Sequence, residues 1–181
     1  MIAKTRAKRK LKGKSTRCPR RFGDLITIDH VYMRNWFKDV GVGGHGECLN
    51  FLSVGTKWIG ADPVNSMDSH DTTLSLKFTM GDDKVKLCYS DNHQSLKRAG
   101  KNLGYVHELS QPGVHQTNAR IERCNNDILE GGRCALYQAG MPSCMWPWAV
   151  ACYCFLMNIK LRWEVISPDP GTAGPAYAGY T

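Results

Sequence analysis

Two acids near the middle of the chain stand where carboxylates are hard to explain as packing. Asp91 follows an apolar run, residues 85–89, that breaks at Ser90-Asp91-Asn92, so it sits where a strand would hand over to the next element. Glu122 lies near the start of a segment whose apolar residues, Ile121, Ile128, Ala135, Leu136 and Ala139, recur at helical spacing. Between them Gln111-Pro112-Gly113 signals a turn inside a polar loop, able to place the helix start beside the strand end. Earlier, Asp29 falls near the middle of a β-branched run, residues 25–33 (LITIDHVYM). An acid inside so apolar a strand is costly when buried and unpaired, so it needs a partner or a metal. Asp24 is the competing acid, but it precedes the strand, where a turn or cap role suffices. Anions close to one another repel, and something positive must hold them together. Two divalent metal ions about 4 Å apart would do so, and would support in-line attack on a phosphodiester. Hard oxygen ligands suit Mg²⁺ or Mn²⁺, and neither thiol nor imidazole is required.

Acids so far apart in sequence need a sheet and a helix to bring them together. Residues 41–47 (GVGGHGE) are glycine-rich but lack the spacing of a phosphate-binding loop, and read as a hairpin connection. Residues 48–54 and 57–62 read as two strands around Gly55-Thr56, giving with the first an antiparallel meander of three. Residues 65–80 carry two patterns. Leu74, Leu76, Phe78 and Met80 alternate like a strand, while Met67, Leu74 and Phe78 fit one helical face. Residues 85–90 form the fourth strand, 93–103 a short polar helix and 105–109 a brief fifth strand. Residues 110–116 form a loop, after which Thr117 or Asn118 can cap the helix carrying Glu122. Residues 142–159 form the last helix; Met145, Trp146, Trp148, Ala149, Cys152, Phe155 and Leu156 crowd more than one face. Such a helix is buried or packs on a partner. Cys152 and Cys154, with no His or acid interleaved, read as core cysteines.

The totals bound the class. With 181 residues and 42% hydrophobic content, one ordinary domain with a core is expected, residues 22–160. The net charge of +8 comes from a tail: residues 1–21 hold ten Lys and Arg and no acid. The rest sets 14 basic residues against 16 acidic ones and is close to neutral. The basic arm, including Lys8, Arg9 and Lys10, reads as solvated chain suited to salt-sensitive phosphate contact, and is compatible with nuclear import. Cys18 has no nearby Cys or His and makes no zinc site as it stands. Eight cysteines without an apolar signal segment fit a reducing, intracellular compartment better than a disulfide scaffold. No run approaches the eighteen or so apolar residues of a membrane span. Residues 161–181, rich in Pro, Gly and Ala, read as a linker.

Three blocks in register carry a resemblance: SDN (90–92), QPGVHQTNARIERCNNDILEGGR (111–133) and AGMPSCMWPWAVACYCF (139–155). Together they resemble the integrase catalytic core of long-terminal-repeat retrotransposons. Copia-like elements and related transposon polyproteins read SDN…QTNG-x-x-ER…LP-x-x-FW-x-x-A in that order. The similarity runs from about residue 22 to 159. It implies an α/β, ribonuclease-H-like fold: a five-stranded mixed sheet, antiparallel meander then parallel strands, flanked by helices. It also implies a helix at 65–80, capped by Ser69 or Asp68, and an active-site loop at 110–116. The catalytic and metal-binding residues it implies are Asp29, Asp91 and Glu122, holding two Mg²⁺ or Mn²⁺ ions. The implied reaction is 3′-end processing of DNA followed by strand transfer, acting in the nucleus on element ends and target DNA. Asn92, Gln116, Asn118 and Arg123 match motif positions suited to DNA contact, and Asn and Gln in loops are also turn formers.

The chain departs from the pattern at His93 (usually a small residue, often Gly), Ser95 (Glu), Ala119 (frequently Gly) and Cys124 (commonly basic). None of these removes a metal ligand. Neither the paired-His, paired-Cys zinc module nor a carboxy-terminal DNA-binding domain is recognisable, and a core alone is expected to multimerise and to transfer strands poorly. Two other readings follow. One is a catalytically decayed or co-opted nucleic-acid-binding module on the same fold. The other is a ribonuclease H, which needs a further acid on the first helix; Asp68 and Asp71 are the only candidates, and the QTN…ER block argues against it.

Overall fold

The strand ITIDHVY forms because β-branched residues alternate across it, and in the computed structural model it becomes β1 (Ile26–Tyr32), the middle of the sheet. The structure describes residues 19–33, 40–110 and 119–166. β2 (Glu47–Ser53) and β3 (Ile59–Val64) follow as an antiparallel meander. β3 starts two residues later than the spacing predicts. Lys57 adopts φ 62°, a left-handed conformation uncommon outside glycine, and it ends the turn before the ladder resumes.

The residues with two patterns are helical: α1 spans Ser69–Met80. The Asp68 carboxylate accepts the His70 and Asp71 N–H groups and caps it. The apparent strand alternation splits into two i,i+4 pairs. Leu76 and Met80 are in the core, whereas Leu74 and Phe78 are 53% and 83% exposed. The helical face expected to be apolar is therefore the outer one. The inner face is made by Thr72, Ser75, Leu76 and Met80.

β4 (Leu87–Ser90), α2 (Gln94–Asn102) and β5 (Val106–Leu109) complete a sheet of order β3-β2-β1-β4-β5. β4 runs parallel to both β1 and β5. This is the mixed, five-stranded arrangement that the resemblance implies. Among the described residues, α3 (Ala119–Ala139) and α4 (Trp146–Ile166) are the long helices. A short 3₁₀ turn, Ser143–Met145, precedes α4, and α4 runs past residue 159 because no proline interrupts it between Pro147 and Pro168.

The period of two along the strands divides the core into two layers. Ile26, Ile28, Leu49 and Phe51 face α1 and α2, meeting Leu76, Met80, Leu96 and Ala99. On the other face, Cys48 and Ile59 pack with Ile121, Cys124 and Ile128 of α3 and Trp146, Val150 and Cys154 of α4. Glycines let α3 and α4 approach closely: a Cβ at Gly131 would overlap the Tyr153 ring. Cys154 is a core cysteine, but Cys152 is exposed, a correction to the sequence reading. Two residues apart on an α-helix point to nearly opposite sides, so one apolar stripe cannot bury both. No described helix is long and apolar enough to cross a membrane.

Candidate active site

β1 and β4 pair in parallel with Ile26 beside Cys88 and Thr27 beside Tyr89. Continuing that offset by two residues sets Asp29 level with Asp91, at the point where β4 has just ended. Ile26 and Ile28 point into the α1–α2 layer, so Asp29, one residue out of phase, leaves the sheet on the α3 side. Glu122 lies in the first turn of α3, exposed, one residue beyond the fully buried Ile121. Topology thus collects at one end of the sheet acids that are 62 and 31 residues apart in the chain.

Electrostatics registers that collection. The pKa of Asp29 is pushed up to about 6, first by burial and then by the charge of Asp91, with a smaller contribution from Glu122. The Asn125 amide and the His30 backbone N–H donate to the carboxylate and pull part of the way back. Raising a carboxyl from 3.8 to about 6 costs on the order of 3 kcal/mol at neutral pH. Among the described residues, no cationic side chain offsets the cost.

The surroundings of Asp91 are polar and local. Its Oδ1 accepts the His93 N–H at 3.1 Å, and the His93 Nδ1 lies 2.7 Å from the Ser95 hydroxyl. Two of the departures from the family pattern, His93 and Ser95, therefore bond to each other. The His93 ring meets His30 edge to face at 5.8 Å. Burial, helped by His93, lowers the pKa of His30 to about 4, so this imidazole is neutral at physiological pH. On the far side of Asp91, Ser90 Oγ donates to the Asp91 carbonyl and pairs with His107 Nε2, both at 2.8 Å.

Two residues that the sequence reading did not single out touch this site. Asn125 Nδ2 donates to Asp29 Oδ2 at 2.9 Å, and Asn50 Nδ2 donates to Asn125 Oδ1 at 2.9 Å. The sequence signal is a polar residue in core phase: Asn125 lies on the Ile121–Cys124–Ile128 face, and Asn50 lies between the inward Cys48 and Leu52.

Among the described residues, no three His, Cys, Asp or Glu side chains come close enough to share one metal ion. Asp29 feels the charge of Asp91 and, less strongly, that of Glu122, without the three forming a ligand cluster. Residues 111–118, between β5 and α3, lie outside the described residues, and with them Gln116, Asn118 and the alternative cap Thr117. So do Lys8, Arg9 and Lys10 of the basic arm. Asn92 and Arg123 are exposed beside Asp91 and Glu122. The ribonuclease H candidates are otherwise engaged. Asp68 caps α1, Asp71 accepts the Ser66 hydroxyl, and neither contributes to the electrostatics of Asp29.

No family model matches the sequence, and no curated protein matches it. Solved structures do match in fold. The catalytic core domain of BIV integrase superposes with a TM-score of 0.51 at 15% identity, covering 84% of this chain and 89% of that one. At that identity the likeness shows the fold alone, a ribonuclease-H-like five-stranded mixed sheet flanked by helices.

Proposed function

We propose that the chain is the integrase catalytic core of a copia-like retrotransposon, a polynucleotidyl transferase that processes DNA 3′ ends and joins them to target DNA. The observation that carries this reading is the half-buried, mutually repelling pair of Asp29, midway along β1, and Asp91, just past the end of β4. A carboxylate pair without a cation is a cost to folding, and oxygen donors of this kind fit a hard divalent ion. When bound at Asp29, Asp91 and Glu122, two Mg²⁺ or Mn²⁺ ions would activate a water or 3′-hydroxyl and stabilise the leaving oxygen. Asp29 supplies a carboxylate fixed by the sheet and by Asn125, and Asp91 supplies one anchored by the His93 N–H. Glu122 stands at the start of α3, where the carboxylate also faces the positive end of the helix dipole. Arg123 and Asn92 are both exposed and, on this reading, contact the phosphate backbone beside the acids. Gln116, Asn118 and the basic arm extend the same contact in sequence. The reaction places the protein in the nucleus when it acts.

Self-association belongs to the same reading. A groove of about 800 Å³ opens along the β3 edge between α1 and α4, lined among others by Trp58, Phe78, Ala151, Phe155 and Ile159. None of the three acids lines it. A second copy of the chain is the occupant that the integrase reading supplies, and it would leave the acidic end of the sheet free for DNA.

The second reading, a catalytically inactive nucleic-acid-binding module, is favoured by one observation: among the described residues no three acids form a ligand cluster. Nicking and disintegration of branched DNA in Mn²⁺ separate the two. The enzyme reading predicts cleavage that Asp91→Asn abolishes. The binding reading predicts only salt-sensitive affinity, unchanged by that substitution.

A further inference from the structure

Asn50 stands directly across from Asp29 in the β1–β2 ladder, so both side chains leave the sheet on the same face, toward α3. It is 1% exposed, and the Asn125 that lies over it is 8% exposed. An apolar residue would fill such a position at less cost, since a buried amide is tolerated only when its hydrogen bonds are made. Here they are made in one direction. The Cys48 thiol donates to Asn50 Oδ1 at 3.2 Å, Asn50 Nδ2 donates to Asn125 Oδ1, and Asn125 Nδ2 donates to Asp29 Oδ2. Burial keeps the thiol protonated and able to donate. Each amide has its oxygen toward Cys48 and its nitrogen toward Asp29. Turning either one over would set donor against donor at one contact and oxygen against oxygen at the next.

We propose that Asn50 is a positioning residue for the carboxylate site, acting on Asp29 through Asn125. It fixes which way Asn125 faces, so that Asp29 Oδ2 always meets an N–H and the carboxylate is held in one orientation for a divalent cation. The proposal rests on the reading of Asp29 as a metal ligand. Groups that orient a ligand in this way typically change metal affinity by about 10–100-fold when lost.

The test is binding of Mn²⁺ alone, without DNA, to the full chain, followed by the electron paramagnetic resonance signal of the free ion. Asn50→Leu, which keeps the branching and number of side-chain heavy atoms and removes the donor, is expected to weaken binding about 10-fold or more while the circular dichroism spectrum stays native. Asn125→Leu is expected to weaken it at least as much, and the double variant no further than Asn125→Leu alone. That non-additivity is the signature of action through Asn125, which a merely structural role would not produce. Asn50→Val, suited to a strand, repeats the comparison should Asn50→Leu misfold; failure of both to fold would assign Asn50 to folding alone and overturn the proposal. Wild-type affinity in a folded Asn50 variant, or additive losses, would overturn it and leave the metal reading standing. Absence of Mn²⁺ binding by the wild-type chain would overturn both.

Discussion

At the scale of single residues, burial and the charge of Asp91 make the Asp29 carboxylate costly to the fold. The folded-state pKa of about 6 lies above the ordinary carboxyl value of 3.8, so the native state binds the proton more tightly than the unfolded chain. The sign follows: stability falls as pH rises from about 4 through 6, and the full cost is present above that window. Asp29→Asn keeps an oxygen for the Asn125 donor and removes the charge. It should stabilise the fold by about 1–3 kcal/mol at pH 8, with the gain disappearing near pH 4, as read by urea unfolding at the two pH values. Destabilisation at pH 8 would show that Asp29 is paired with a cation in the folded chain. A second expectation concerns its neighbour. Asp91→Asn should lower the titration midpoint of Asp29, followed by carbon NMR of the carboxyl, yet leave it above 3.8, because burial is the larger cause. Asp29 and Asp91 were legible in the sequence because an acid inside an apolar strand, or at its tip, violates the pattern around it. Asn50 and Asn125 were not, since their meaning depends on a strand register and a helix face that only the folded chain brings into contact.

At the scale of elements, the order of strands and helices was readable and their faces were less so. Alternation in residues 74–80 suggested a strand because Leu74 and Phe78 are as apolar as Leu76 and Met80; only packing shows that the first pair is outside. The Cys152–Cys154 pair failed for the same reason, and it yields a direct check. Iodoacetamide should label Cys134, Cys144 and Cys152 in the native protein, while Cys48, Cys88, Cys124 and Cys154 react only on unfolding. Rapid native labelling of Cys154 would contradict the α3–α4 packing. That packing rests on Gly131 as well. Gly131→Ala adds helix propensity worth about 1 kcal/mol but drives a methyl into Tyr153, so a net loss on the order of 1 kcal/mol is expected. In a Tyr153→Ala background the same substitution should become stabilising, measured by thermal unfolding; a loss in both backgrounds would rule out the Tyr153 contact as the cause.

At the scale of the whole molecule, the sheet puts its two kinds of surface in different places. The acids gather at the middle of β1 and the end of β4, on the central strands, and the apolar groove runs along the β3 edge. Exposed Phe78 on α1 and Phe155 on α4 flank that groove, and a charge there should abolish self-association without touching the acids. Sedimentation of Phe155→Glu against wild type reads this directly: the variant monomeric, the wild type not. The central claim is that Asp29, Asp91 and Glu122 hold divalent cations. Crystals soaked in Mn²⁺ test it through anomalous scattering. The account predicts density touching the carboxylates of Asp29 and Asp91, with Glu122 drawn to the same place. Anomalous density elsewhere, or none between Asp29 and Asp91, would contradict it.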